Sequence, residues 1–312
     1  MTDPFLPGWS PELAARGRAR FFAAGRSFSA APQFVGDDRP LPPGFSLSGW
    51  LQWPYDQGQV GSCFANMGAA VLQLMMRGAV ANGASGTPFN PSRRLVWYQC
   101  RKLDGSLGSG SDGGSIVHTF AALGDAPDGV GDCSEALWPY QPSHSWLEQR
   151  PPDDVFTAAG QTRVAHIAEA PFDQAAWKRS IFNLAPIGIG IYWPSGWDTA
   201  CDRYGRITGI GGGGFGHALA VIGWVDDWDG HRWWEIQNSH GPIYGIPPAD
   251  VQGRITGYKP SAGAKSFSFW AREDWFREVL GYRNTETYNA AGVEGFVPRP
   301  VNVPSFLDSF PV

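Results

Sequence analysis

The pattern of apolar positions changes character near the middle of the chain. From Cys63 to about Met76, Ala, Leu and Met recur at helical spacing, which predicts a helix stopping near Gly78. Ser92 to Leu103 is a second predicted helix, following Pro91 with Ser92 as its cap, and Ser115 to Leu123 is a third. Upstream, Pro11 to Phe22 predicts a short helix carrying Arg16, Arg18 and Arg20. After Pro151-Pro152-Asp153 the period changes. Arg163 to Ile167 alternates like a strand, Phe172 to Leu184 reads as a helix, and Ile187 to Tyr192 is an apolar strand. Ala218 to Val225, Trp233 to Asn238 and Phe267 to Trp270 are further predicted strands, separated by Gly- and Asp-rich turns. The expected class is α+β, with a helical half over about 57–150, a β-rich half over about 155–286 and a cleft between them.

Composition narrows the partners. A 312-residue chain with 43% hydrophobic and 17% charged residues can bury one large core, or two smaller ones sharing a cleft. A net charge of −5 argues against nucleic acid or an anionic membrane as the main partner. No apolar run reaches the roughly 20 residues of a membrane span. The start, MTDPFLPGWSPELAARG, lacks a basic stretch followed by an apolar core, so no signal peptide is recognised. The expected location is cytoplasmic, or within an assembly such as a virion. Cys63, Cys100, Cys133 and Cys201 are few for a disulfide scaffold. Reduced thiols are the reading adopted, and Cys100–Cys133 is the pair left for any bridge. His118, His144, His166 and His231 lack ligand-like spacing, so no metal is expected.

The chemistry concentrates at Asp56-Gln57-Gly58-Gln59-Val60-Gly61-Ser62-Cys63-Phe64-Ala65. A thiol at a helix N-terminus sits at the positive end of the backbone dipole, which favours thiolate. Gln57, six residues earlier, can offer its side-chain N–H to an oxyanion forming beside that sulfur. Far downstream come Gly216-His217-Ala218-Leu219-Ala220-Val221 and Glu235-Ile236-Gln237-Asn238-Ser239-His240-Gly241. Each residue alone has a plainer reading: a structural cysteine, a core histidine, a strand-end asparagine, a loop glutamine. Together, Cys, His and Asn in this order describe a hydrolase with a cysteine nucleophile.

These blocks resemble those of the papain-like cysteine peptidases, in particular their bacterial and viral branch. Residues 57–65 are similar to the family's QGxCGSCWAF block, and Ser111-Asp112-Gly113-Gly114 to its CxGG block. Cys133 to Tyr140 resembles the segment ending in YPY, His217 stands in a GHAVxxVGY-like strand, and Asn238-Ser239-His240-Gly241 takes the place of NSWG. The resemblance covers about 46–286 and implies a two-lobed catalytic domain there. It implies Cys63 as nucleophile, His217 as acid and base, Asn238 as orienter, and Gln57 with the Cys63 N–H as oxyanion donors. Gly113, Gly114 and Gly216 would receive an extended peptide or protein substrate, and no cofactor is needed beyond a reduced thiol.

Departures from the family shape further expectations. Val60 and Ser111 stand where the family joins two cysteines, as suits a reducing compartment. His240 replaces a tryptophan, so the His217–Asn238 bond is expected to be wetter and weaker unless Trp193, Trp233 or Trp234 covers it. Residues 1–45 are short for a family pro-segment and read as a tether or minimal plug, unless the enzyme is made active. Gly241 to Phe267 reads as an insertion near the cleft, and 287–312 as a Pro-rich arm for an assembly partner. Two rival functions remain at this level: a papain-fold structural or binding component of a virion or secretion assembly, and an acyl-transferring crosslinker.

Overall fold

The computed structural model describes residues 8–23, 39–52, 55–124, 129–194, 197, 201–212, 214–260, 265–282 and 285–296. Helix α1 (Pro11–Ala23) and the short strand β1 (Gly44–Ser46) lead into α2 (Cys63–Ala81), α3 (Arg93–Asp104) and α4 (Ile116–Leu123). Short helices α5 (His144–Leu147) and α6 (Asp153–Ala159) precede β2 (Val164–Glu169), α7 (Gln174–Phe182), β3 (Ile187–Pro194), β4 (Gly214–Trp228) and β5 (His231–Gln237). The chain continues through α8 (Ala249–Gln252), β6 (Ser268–Arg272), α9 (Glu273–Leu280) and β7 (Glu286–Val293). The strands form one sheet in the order β2-β7-β3-β4-β5-β6, and β1 pairs antiparallel with the far end of β4. This is the expected α+β arrangement of a helical first half and a β-rich second half.

Local chemistry accounts for the helix starts. Ser92 Oγ accepts the Leu95 N–H at 3.2 Å, capping α3, and Ser115 Oγ accepts the His118 N–H at 3.4 Å at the start of α4. Helix α2 is mostly apolar and is buried from Cys63 to Met76, its Asn66 and Gln73 included, packed among the other helices and the sheet. By length and composition it would pass for a membrane span, yet 83% of its apolar window is buried inside the fold. It runs through Gly78 rather than stopping there. A Cβ on Gly78 would lie 2.4 Å from Leu184 Cδ1, so the glycine admits a neighbouring side chain and does not end the helix. Gly78→Ala is expected to cost about 1–3 kcal/mol by overpacking, read as a lower denaturant midpoint. An unchanged midpoint would show that Leu184 yields freely.

The C-terminal region departs most from expectation. Residues 286–293 are not part of an arm: β7 lies between β2 and β3, paired in register with both. Its Tyr288 and Ala290 are fully buried, and this core-facing alternation outweighs the Pro-rich composition beyond it. Residues 297–312, the rest of the expected arm, lie outside the described residues. Helix α9, which the periodicity did not predict, buries Phe276 and Val279. The 241–267 segment, expected to be an insertion, runs beside the cleft at Tyr244. It then packs Val251 and Ile255 against Trp228, Trp233 and Trp270.

Candidate active site

Three separate elements bring the sequence-predicted residues together. Cys63 opens α2, His217 lies in β4 opposite Ile191 of β3, and Asn238 follows the last residue of β5. The N–H of Ala218, next after His217, donates to Cys63 Sγ at 3.3 Å. His217 Nε2 and Asn238 Oδ1 are 2.7 Å apart, and all three residues are buried. Asn238 Oδ1 also accepts the Ser239 N–H at 2.7 Å, while its amide nitrogen meets Tyr244 Oη at 2.5 Å and His240 Nδ1 at 3.2 Å. The asparagine is thereby fixed with its oxygen towards the imidazole, so His217 Nε2 carries the proton. Nδ1 is left as the basic nitrogen, buried and without a hydrogen bond.

The Gln57 amide is oriented just as closely. Its Oε1 accepts Ser239 Oγ–H at 2.7 Å and its Nε2 donates to Val60 O at 3.0 Å. Its backbone N–H donates to Ser239 O at 2.8 Å, and its carbonyl accepts from Tyr140 at 2.8 Å. The turn leading to Cys63 is therefore clamped from both sides of the cleft.

His240 does not leave the His217–Asn238 bond wet. It is itself buried, its ring centroid is 4.7 Å from that of His217, and its own Nδ1 engages Asn238. Trp193 provides the cover, with its ring edge-on to His217 at 5.1 Å and to His240 at 6.1 Å. Trp233 and Trp234 pack elsewhere, against Trp228 and Trp177.

Arg101 spans the loop in which Ser111 replaces a family cysteine. The buried guanidinium donates to the carbonyls of Gly113 and Ser106, the latter at 2.5 Å, and to Ser109 Oγ at 3.0 Å. The Gly61 N–H reaches Asp112 Oδ2 at 3.4 Å. Polar contacts thus tie together the two segments that a disulfide would join. None of the four cysteines is in a disulfide, and Cys100 and Cys133 sit in different clusters.

The cleft is filled by the chain's own N-terminal segment. The Gly114 N–H donates to Gly8 O at 2.8 Å, and the Gly8 N–H is one of the donors to the Cys63 sulfur. A Cβ on Gly216 would fall 1.8 Å from Trp9 O, and one on Gly113 would strike Leu13 at 2.5 Å. The three glycines expected to receive substrate therefore hold residues 8–13. The Trp9 indole enters a pocket under Gly190 and Ile116 and donates its N–H to Glu286 Oε2 at 2.7 Å. Arg18 secures α1 through Glu169 at 2.6 Å. Of the readings open for residues 1–45, residues 8–10 adopt the plug.

This covering decides the charge state. Burial pushes the Cys63 thiol up to about 12, although the N–H groups of Ala218, Gly8 and Phe64 pull the other way. Burial, and then the neighbouring His240, hold His217 well below the usual histidine range. With the cleft filled, the sulfur is a thiol and the imidazole is neutral, not the ionised pair expected of an open site.

Glu286, Tyr244 and the role of Ser239 escaped the sequence reading, whereas Trp193 was one of the three indoles named there as a cover. Glu286 alone left a trace, as the one acid in the otherwise uncharged run Thr285–Val293.

No family profile matches the chain. Among curated proteins it is similar to the cysteine endopeptidase RepA of Oryza sativa subsp. japonica, 25% identical over 220 residues. That match takes in 68% of this chain and 52% of RepA, so the chain spans about half the length of this relative. Among solved structures it superposes on xylellain, a cysteine protease from Xylella fastidiosa, with a TM-score of 0.62 and 20% identity over 84% of this chain and 90% of that one. It also superposes on procathepsin B S9 from Trypanosoma congolense, with a TM-score of 0.59 and 16% identity over 86% and 82% of the two chains. The fold is the papain-like cysteine-protease fold.

Proposed function

We propose that the chain is a cysteine-type peptidase, held latent while residues 8–10 cover its nucleophile. One observation carries this reading. A single stretch of β4 sets the His217 imidazole against Asn238 and, through the next residue, an N–H against the Cys63 sulfur.

The chemistry follows from that geometry. Once the segment withdraws, His217 Nδ1 takes the thiol proton and Asn238 steadies the resulting imidazolium. The thiolate adds to a peptide carbonyl, and the oxyanion is received by Gln57 Nε2 and the Cys63 N–H. Collapse breaks the C–N bond, and His217 returns its proton to the leaving amine. Water, deprotonated by His217, then hydrolyses the thioester.

The plug escapes this chemistry because it presents an N–H to the sulfur, while its Gly8 carbonyl is turned to Gly114. Four cysteines outside any disulfide and the polar substitute for the family crosslink fit a reducing compartment. The complete Cys–His–Asn–Gln set favours catalysis over a purely structural role.

The test compares full-length Trp9→Ala with Trp9→Ala/Cys63→Ala, by iodoacetamide alkylation at pH 6 and by cleavage of a fluorogenic peptide library. Cleavage that vanishes with Cys63→Ala is the expected result. A Cys63 alkylated no faster than free cysteine, with no peptide cut, would overturn the reading.

A further inference from the structure

Two imidazoles flank the Asn238 amide and place opposite demands on it. The Ser239 N–H can only donate, and it reaches Asn238 Oδ1 at 2.7 Å, so the position of the amide oxygen is unambiguous. That oxygen also accepts from His217 Nε2 at 2.7 Å. The amide nitrogen, a donor only, then directs its two hydrogens to Tyr244 Oη at 2.5 Å and His240 Nδ1 at 3.2 Å. His240 Nδ1 is therefore an acceptor, and the proton of this ring sits on Nε2. A second proton, at Nδ1, would set donor against donor at 3.2 Å. It would also charge a ring whose centroid is 4.7 Å from that of His217, the imidazole that must itself become a cation during the reaction.

We infer that His240 is a positioning residue and a proton-sensitive gate: neutral, it holds Asn238 in the orientation that serves His217, and protonated it releases that amide. The inference rests on the peptidase reading and concerns the opened site, where water reaches the ring. Among the described residues, the titratable groups packed round His240 are His217 on β4, Tyr244 downstream and Asp56, bridged to it through the backbone. Cys63, on α2, meets the same strand at Ala218, and Trp193 of β3 adds only a neutral ring. Asp56 is exposed, and its Oδ1 accepts the Gly58 N–H at 2.8 Å. His217 is thus the neighbour that a His240 cation opposes most directly. After burial, His240 is the influence that lowers His217.

The experiment follows kcat for a fluorogenic peptide against pH in full-length Trp9→Ala, alone and with His240→Asn or His240→Leu added. Asparagine keeps an oxygen acceptor near the place of Nδ1 but does not titrate there, and leucine keeps neither property. The ratio of kcat near pH 8 to kcat near pH 5 should be about tenfold larger in the parent than in either variant, the size of one buried hydrogen bond lost. His240→Asn should also recover part of the kcat that His240→Leu loses near pH 8. Equal ratios in all three proteins would overturn the inference, as would a leucine variant as fast as the asparagine one.

If no protein cleaves any peptide, the peptidase reading fails, and the gate is read by NMR in full-length Trp9→Ala. The Asn238 side-chain amide should shift with pH in step with the His240 ring rather than the His217 ring, and should keep that step when Cys63→Ala removes the thiol. An amide that does not follow the His240 ring would overturn the gate, whether or not any His240 variant folds.

Discussion

Trp9→Ala is expected to speed alkylation of Cys63 about 100-fold in the full-length chain, because one indole anchors the segment that covers the sulfur. Truncating a buried tryptophan to alanine costs roughly 3–5 kcal/mol. Here that cost falls on a local opening, since residues 8–10 connect to the cleft by few other bonds: Gly8 to Gly114, and Gly8 to the sulfur itself. About 3 kcal/mol, at 1.4 per decade, is roughly 100-fold in the open population. The proton on sulfur works in the same balance. Covering raises the thiol pKa to about 12, so protonation stabilises the covered state. That contribution is complete below the pKa of the open thiol and is lost as pH rises through it towards 12. Mass spectrometry of iodoacetamide-treated protein reads the effect, with the half-buried Cys201 as internal reference. Equal Cys63 rates in wild type and Trp9→Ala would mean that the segment does not limit access.

The candidate catalytic set was legible in sequence because each member carries a local signature: Gln57 and Cys63 in one turn, His217 and Asn238 in strand-end motifs. Class and the positions of β2 to β6 along the chain needed only periodicity. What escaped depends on contacts between distant residues. Gly78 reads as a stop until Leu184 is seen against it. The run from Thr287 reads as an arm because the prolines beyond it mask a short strand whose partners lie some 100 residues earlier in the chain. Trp9 is one of several apolar residues near the start of the chain, and its partner Glu286 is 277 positions away. His240 illustrates the converse. Substitution of a covering indole by imidazole suggests exposure, but Trp193 arrives from β3 to supply the cover. Local chemistry identifies the reacting groups, whereas the state they are held in is a tertiary property.

In the opened chain, His217→Ala is expected to lower kcat by at least 10²–10⁴, the worth of a positioned acid and base. Its effect on pH dependence separates catalysis from mere packing. In Trp9→Ala the site is wet, and the burial that holds His217 neutral is relieved. The imidazole can then hold the thiol's proton, and alkylation of Cys63 should titrate with a midpoint below pH 6. Without His217 no cation among the described residues faces the sulfur, and the midpoint should return to the ordinary thiol value of about 8.5. The midpoint, not the maximal rate, is the readout, because a thiolate of lower pKa is also a weaker nucleophile. Asn238→Ala should fall between the two. It keeps the imidazole but frees the Nε2–H from its 2.7 Å partner, so the low midpoint is partly retained while kcat drops. A midpoint that stays low in Trp9→Ala/His217→Ala would show that the dipole of α2 alone ionises Cys63, and would remove His217 from the proton-holding role.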